Sequence, residues 1–314
     1  MADIALDVTG PKGEMMSDHL EALSQAERDF YEEQGYLVLE NRIPAEMMSR
    51  IHAEIERLSA PAAQMTQSDD RLDLEDSHSP ERPRIRRIKL PHTQSELFHE
   101  LMTSELILAP VRDLLGADLR LHTSKLNMKS AGYGAAIEWH QDFAFYPHTN
   151  DDLLAVAVII DDMHEENGPL KVFPGSHKGP IHNHHSGDVF AGGIDMASSG
   201  LNPDDAVSLL GPAGSVSIHH ARIVHGSALN RSASDRRLLF YEICAADAFP
   251  IMGSMTRFDS LEDYNGKMLC GTPTSQPRLA DVPVRIPLPQ PDKNKSIYEV
   301  QKNLNTPSFE TLSS

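Results

Sequence analysis

Trp139-His140-Gln141-Asp142 is the stretch on which the reading of this chain turns, together with a distant His225-Gly226-Ser227 and Arg236, eleven residues beyond His225. In an extended strand, side chains at i and i+2 point to one side, so His140 and Asp142 can reach a common ion while Gln141 points away. Two imidazoles and one carboxylate on one face of a metal leave the opposite positions open, the arrangement that suits non-haem Fe(II) oxygenase chemistry. His225 can join from so far along the chain only if the sheet curls round on itself, as a closed or nearly closed β-barrel does. Arg236 then offers a planar, permanently charged fork that matches a carboxylate in two places, and Ser227, on the same side of its strand as His225, adds a hydroxyl.

Outward from these residues the pattern is that of strands. Leu119, Leu121, Thr123, Lys125, Asn127 and Lys129 alternate onto one face that changes from apolar to polar, as expected of a barrel wall opening into a site. Leu153 to Ile160 is a nearly continuous apolar run, consistent with a strand buried on both sides. Gly214 to Ala221 alternates again and offers His219 and His220 as rivals to His225; the offsets of Ser227 and Arg236 favour His225. From Arg236 to Ile243 alternation puts Arg236 and Arg237 on opposite sides. His164, His177, His182, His184 and His185 lie mostly in loop-like surroundings and are not expected to bind metal.

His140-Gln141-Asp142-Phe143, Asn167-Gly168-Pro169-Leu170, Pro174-Gly175-Ser176-His177-Lys178-Gly179, and His225-Gly226-Ser227 with Asn230 and Arg236 closely resemble the phytanoyl-CoA dioxygenase family, in its ectoine-hydroxylase-like branch. The resemblance runs from about Glu27 to Ala248 and is densest between Leu121 and Tyr241. It implies a mainly β fold with flanking helices and a double-stranded β-helix (jelly roll, cupin-like) core that uses Fe(II) with 2-oxoglutarate and O2 as co-substrates. It places His140, Asp142 and His225 on the metal-ligand positions, and Arg236 and Ser227 on those that hold the far carboxylate of 2-oxoglutarate, which implies that Arg236 is the inward one of the two arginines. Asn127 falls on a position that helps to orient the co-substrate, with Thr123 on the same wall; at Thr123 and Lys125 relatives carry other polar residues. The activity implied is hydroxylation of an unactivated C–H bond with release of succinate and CO2. Desaturation, epimerisation or ring formation would use the same chemistry, whereas halogenation would need the place that Asp142 fills. A cupin-like hydrolase or lyase, or a binding protein without catalysis, would not require the Arg236 and Ser227 pair.

At 314 residues and 40% hydrophobic, the chain can bury one large core, and a single catalytic domain is expected. Its parts would be a flexible tail over 1–18, a helical part with short strands over 19–117, the β core over 118–248 and a C-terminal wrap or lid over 249–314. Ser24 to Glu27 has the form of a capping box, and Met47, Ile51, Ile55 and Leu58 recur at helical spacing after Pro44. A helix or helix pair spans Ser95 to Leu115, while Ala60 to Glu81 reads as a loop. A net charge of -18 argues against nucleic acid and anionic membrane surfaces as partners. There is no apolar run long enough to span a bilayer and no leader-like start, so a cytoplasmic protein is expected. Cys244 and Cys270 make neither a disulfide framework nor a thiolate site. The substrate expected is a small molecule; Arg82, Arg84, Arg86, Arg87 and Lys89 form a basic cluster that reads either as a solvated strand paired with acidic neighbours or as a place to meet an anionic or zwitterionic substrate. Lys125, Phe143, Tyr146 and Arg86 are the candidates for its pocket; a homo-oligomer is left open.

Overall fold

The computed structural model describes residues 20–252, 260–283, 285–290 and 296–310, so the tail expected over 1–18 lies outside the described residues. Fourteen strands are described, all paired antiparallel. They are β1 (Tyr36–Leu39), β2 (Leu72–Leu74), β3 (Ile85–Lys89), β4 (Leu119–Lys129), β5 (Ile137–His140), β6 (Leu153–Ile159) and β7 (Lys171–Val172), then β8 (His185–Ser186), β9 (Val189–Phe190), β10 (Val207–Ser208), β11 (Val216–His220), β12 (His225–Ser227), β13 (Arg236–Ala245) and β14 (Met268–Cys270). The large sheet runs β1-β11-β6-β13-β4-β3-β2, with β14 also on β4; the smaller one runs β10-β7-β12-β5, and β8 pairs β9.

Helices α1 (Gln25–Gln34), α2 (Ala45–Ser59), α3 (Pro91–Gln94), α4 (Glu96–Met102) and α5 (Glu105–Leu115) precede the core, and α6 (Met196–Ser199), α7 (Leu261–Asn265) and α8 (Ile297–Gln301) follow later. The capping box of Ser24 and Glu27 opens α1, and Gly35 in the left-handed region closes it. Ile51, Ile55 and Leu58 of α2, with Phe98 and Leu101 of α4, pack on one face of the large sheet against Leu126, Val156, Val158, Leu239 and Tyr241. The opposite face carries Ala155, Ala157, Leu238 and Phe240. Two alanines in its middle strand leave room on that side, and there the polar residues gather. The helices thus take the bulky face, and the site takes the face of small side chains.

Three expectations change. The strand β5 ends at His140, and Asp142 opens a 3-10 turn, Asp142–Ala144, so the i, i+2 argument holds for direction and not for strand membership. Ala60 to Glu81 is not a plain loop: it contains a 3-10 turn at Ala60–Gln64 and the edge strand β2. The third correction concerns β4. Thr123 lies opposite Glu242 and Leu121 opposite Ile243, so His122 is an extra residue in the ladder. Its β-bulge reverses the alternation. Leu119 and Leu121 therefore share the helical face with Leu126, whereas Lys125 lies on the other face with its ion-pair partner Glu242. No helix among the described residues is long and apolar enough to cross a membrane.

Candidate metal and co-substrate site

The pairing of β5 with β12 sets His140 directly opposite His225, with ring centroids 4.0 Å apart. Each imidazole is fixed by the carbonyl two residues before it: Nδ1 of His140 donates to Glu138 O at 2.7 Å and Nδ1 of His225 to Ile223 O at 3.0 Å. A carbonyl only accepts, so the proton sits on Nδ1 and each Nε2 keeps its lone pair. Those Nε2 atoms lie 3.7 Å from Asp142 Oδ1 and 3.8 Å from Asp142 Oδ2, respectively. One ligand atom from each of the three residues lies within 4.8 Å of the others, and all three side chains are buried. One ion with bonds of about 2 Å spans such separations. The donor set, two imidazoles and a carboxylate, fits Fe(II).

Charge supports the same assignment. Burial opposes ionisation of Asp142, but the nearby Lys125 ammonium counters it, and the carboxyl is held well below its usual range. Burial likewise pushes His225 well down, with His140 beside it, so this imidazole is neutral at ordinary pH. His184, one of the loop histidines, is excluded by its bonding, because its Nε2 accepts the Gln141 N–H at 2.9 Å. His219, weighed in the sequence against His225, sits next to the triad. Its Nε2 is 3.6 Å from Asp142 Oδ2, its ring centroid is 4.6 Å from that of His225, and neither ring nitrogen has a hydrogen-bond partner among the described residues.

Arg236 enters from β13 opposite Lys129 of β4 and is 2% exposed. It donates to Gly168 O at 2.8 Å, its Nε has no partner among the described residues, and no carboxylate there forms an ion pair with it. Burial lowers it to about 10, which still leaves a cation at neutral pH. Gly168 is needed where it stands. Its φ is +69°, and a Cβ there would come within 2.5 Å of Ala228 O. Ser227 is buried, with its carbonyl accepting Lys129 Nζ at 3.1 Å. Asn127 Oδ1 accepts Arg87 Nε at 3.0 Å, and Thr123 is buried opposite Glu242.

Lys125 pairs with Glu242, and it is the accessible end of the pair: its side chain is 22% exposed against 2% for Glu242. Burial works against its charge, but Glu242 and Asp142 raise it and keep the ammonium. Beside the pair, His122 lies against Tyr146 and His148, at centroid distances of 4.3 and 5.1 Å. His122 Nε2 is buried without a partner among the described residues. The other two pocket candidates are placed differently. Phe143 packs in the apolar cluster of Leu153, Ala221, Cys244 and Ala248, and Arg86 is committed to Glu75 at 3.1 Å, Asp76 at 3.3 Å and Glu299 at 3.6 Å. Sequence reasoning missed His122 and Glu242 here. A buried histidine inside a strand was the available signal, but its face depends on the bulge.

Comparison with known proteins agrees with this geometry. Residues 31–238 match the model of the family described as phytanoyl-CoA dioxygenase (PhyH). The chain is 34% identical over 278 residues to a probable alpha-ketoglutarate-dependent hypophosphite dioxygenase of Stutzerimonas stutzeri, covering 87% of this chain and 96% of that protein. It is 30% identical to an ectoine dioxygenase of Stutzerimonas stutzeri strain A1501, covering 67% of this chain and 73% of the other. Among solved structures, EctD from S. alaskensis with bound Fe superimposes with a TM-score of 0.64 at 23% identity, over 88% of this chain and 92% of that one. That likeness shows the fold, a jelly-roll core.

Proposed function

The chain belongs to the phytanoyl-CoA dioxygenase family, and from that premise we propose that it is a hydroxylase of a compact anionic or zwitterionic substrate. It is an Fe(II)- and 2-oxoglutarate-dependent dioxygenase. In this chemistry iron couples two half-reactions: 2-oxoglutarate and O2 give succinate and CO2, and the second oxygen atom converts R–H into R–OH.

We assign the residues of the site the following roles. His140, Asp142 and His225 hold the metal. Arg236 and Ser227 take the far carboxylate of 2-oxoglutarate, with Asn127 and Thr123 on the adjoining wall. The observation that carries the reading is Arg236, a buried guanidinium with no carboxylate partner among the described residues. A charge kept in such a place at the cost of desolvation suits an anionic ligand. Lys125 presents an ammonium on the side of Asp142, where the negative group of the substrate would meet it, while Glu242 fixes the amine and Tyr146 closes the wall.

A second reading of the substrate is hypophosphite itself, in which a P–H bond is oxidised instead of a C–H bond. It is favoured by the likeness to a hypophosphite dioxygenase over nearly the whole of both chains. Anaerobic titration of the apoprotein with Fe(II) and 2-oxoglutarate tests the class, by the weak visible charge-transfer band of a chelated 2-oxo acid. Iron binding without that band would overturn it. Succinate release with hypophosphite, ectoine and L-proline, each at saturating 2-oxoglutarate, then separates the substrates. Turnover of uncharged analogues in preference to all three would overturn the anionic or zwitterionic assignment.

A further inference from the structure

Helix α8 lies beyond the family match, yet it brings Tyr298 into the arginine-rich end of the site. The ring sits with the guanidinium carbon of Arg86 4.7 Å from its centroid and that of Arg87 5.7 Å away. Tyr298 is 6% exposed, and its hydroxyl has no hydrogen-bond partner among the described residues. A buried, unpartnered hydroxyl forfeits the hydrogen bonds it would make in water, and native structures rarely leave one so. Arg236 Nε is orphaned in the same way. Arg87, against the ring, lies opposite Asn127, and Asn127 lies opposite Leu238, two residues beyond Arg236 on the same side of β13, so Arg87 and Arg236 stand on neighbouring parts of one sheet face.

The charges around the hydroxyl indicate what it waits for. Of the three arginines at this end of the site, Arg86 is neutralised by Glu75. Arg87 is bonded to a neutral amide, Asn127, and Arg236 to a neutral carbonyl, Gly168. Two guanidinium charges are therefore left for an anion. The backbone under Tyr298 is firmly held. Gln301, one turn further, accepts the Glu138 N–H at 3.0 Å and donates to Gly192 O at 2.8 Å. The Glu138 carboxylate in turn accepts the N–H groups of Ser308 at 2.7 Å and Phe309 at 3.2 Å. From the other side Glu299 reaches Arg86, and Lys302 reaches Asp76 at 3.0 Å.

We propose that the Tyr298 hydroxyl is a third donor to the far carboxylate of 2-oxoglutarate, so that the C-terminal segment completes the co-substrate site. The inference rests on the assignment of Arg236 to that carboxylate. A phenol O–H donates one hydrogen bond, and a carboxylate oxygen accepts it. A donor lost from a charged acceptor weakens binding more than one lost from a neutral acceptor.

Tyr298→Phe removes only the oxygen. In the anaerobic titration of the Fe(II) protein, this variant is expected to bind 2-oxoglutarate about 10-fold or more weakly. It is expected to bind 2-oxopentanoate, which has a methyl group in place of the far carboxylate, as the parent does. The thermal midpoint without 2-oxoglutarate should not fall, because no protein partner loses a bond. Unchanged 2-oxoglutarate affinity in Tyr298→Phe, with weakened affinity in Arg236→Ala, overturns the proposal and leaves the Arg236 assignment standing. Equal weakening for both oxo acids also overturns it, since Tyr298 would then act by packing. If Arg236→Ala binds 2-oxoglutarate normally, the underlying assignment falls, and this proposal with it.

Discussion

Arg236 and Arg237 are adjacent in one strand and hold opposite commitments: Arg237 grips Asp161 at 2.6 Å on the outer side, whereas Arg236 points inward and finds, among the described residues, only a backbone carbonyl. On the proposed assignment, the same side chain serves structure at one position and ligand binding at the next. Arg236→Ala is expected to raise the Kd for 2-oxoglutarate by about 10- to 100-fold, the worth of hydrogen bonds to a charged group, with the folded state kept. Arg237→Ala should leave that Kd alone and cost about 1–3 kcal/mol of stability by stranding Asp161. Titration and denaturant melts of both variants check the division; a shifted Kd in Arg237→Ala alone would reverse it.

Asp142 is the carboxylate shared by the ligand cluster. Asp142→Ala should abolish substrate-dependent succinate formation and release iron on gel filtration, while far-UV circular dichroism stays that of the parent. Chelator treatment of the parent should abolish turnover in the same way and be reversed by Fe(II). Full activity of the variant would show that the metal is held without this residue.

Lys125→Met tests the substrate wall. The KM for the anionic substrate should rise at least about 10-fold, by analogy with other charged contacts, and the KM for 2-oxoglutarate should stay within error. Because Glu242 would be left buried without its cation, the double variant Lys125→Met with Glu242→Gln is the control for folding. A rise in the 2-oxoglutarate KM alone would move Lys125 to the co-substrate side.

Stability should fall on acidification. Burial holds His92 and His148 down to about 4, against an ordinary value of 6.5. Between those values the unfolded chain takes up protons that the folded chain refuses, so stability rises with pH from about 4 to 6.5 and levels off above, as far as these two groups contribute. Thermal midpoints recorded from pH 7.5 to pH 4.5 should show the decline. His148→Gln should make it shallower; an unchanged slope would mean that His148 is protonated in the folded state.

Much of the site could be read from spacing alone, because it is made of local offsets. His140 with Asp142, His225 with Ser227, and the opposed Arg236 and Arg237 each depend on two or three neighbouring residues and the period of a strand. The capping box of α1 and the Ile51, Ile55 and Leu58 stripe of α2 are legible for the same reason. What escaped depends on partners far along the chain. The face shown by β4 after His122 is settled by its register with β13, and nothing local marks the extra residue. The offsets of Ser227 and Arg236 separate His225 from His219 as a ligand, but they do not tell that the fold brings His219 within 3.6 Å of Asp142. Tyr298 lies in sequence without periodicity, and its neighbours Arg86 and Arg87 are more than 200 positions earlier.

The bulge at His122 divides β4 into two reading frames joined at a single residue. Deleting it would restore a regular ladder with Lys125, Leu126 and Asn127 on their present faces, whereas deleting Ser124 with the bulge kept would carry Lys125 and Asn127 over to the helices and turn Leu126 toward the triad. The greasy interior and the reactive one are therefore kept apart by counting, with no thicker partition between them. Along this wall, evolution and engineering alike can exchange one residue for another far more freely than they can add or remove one.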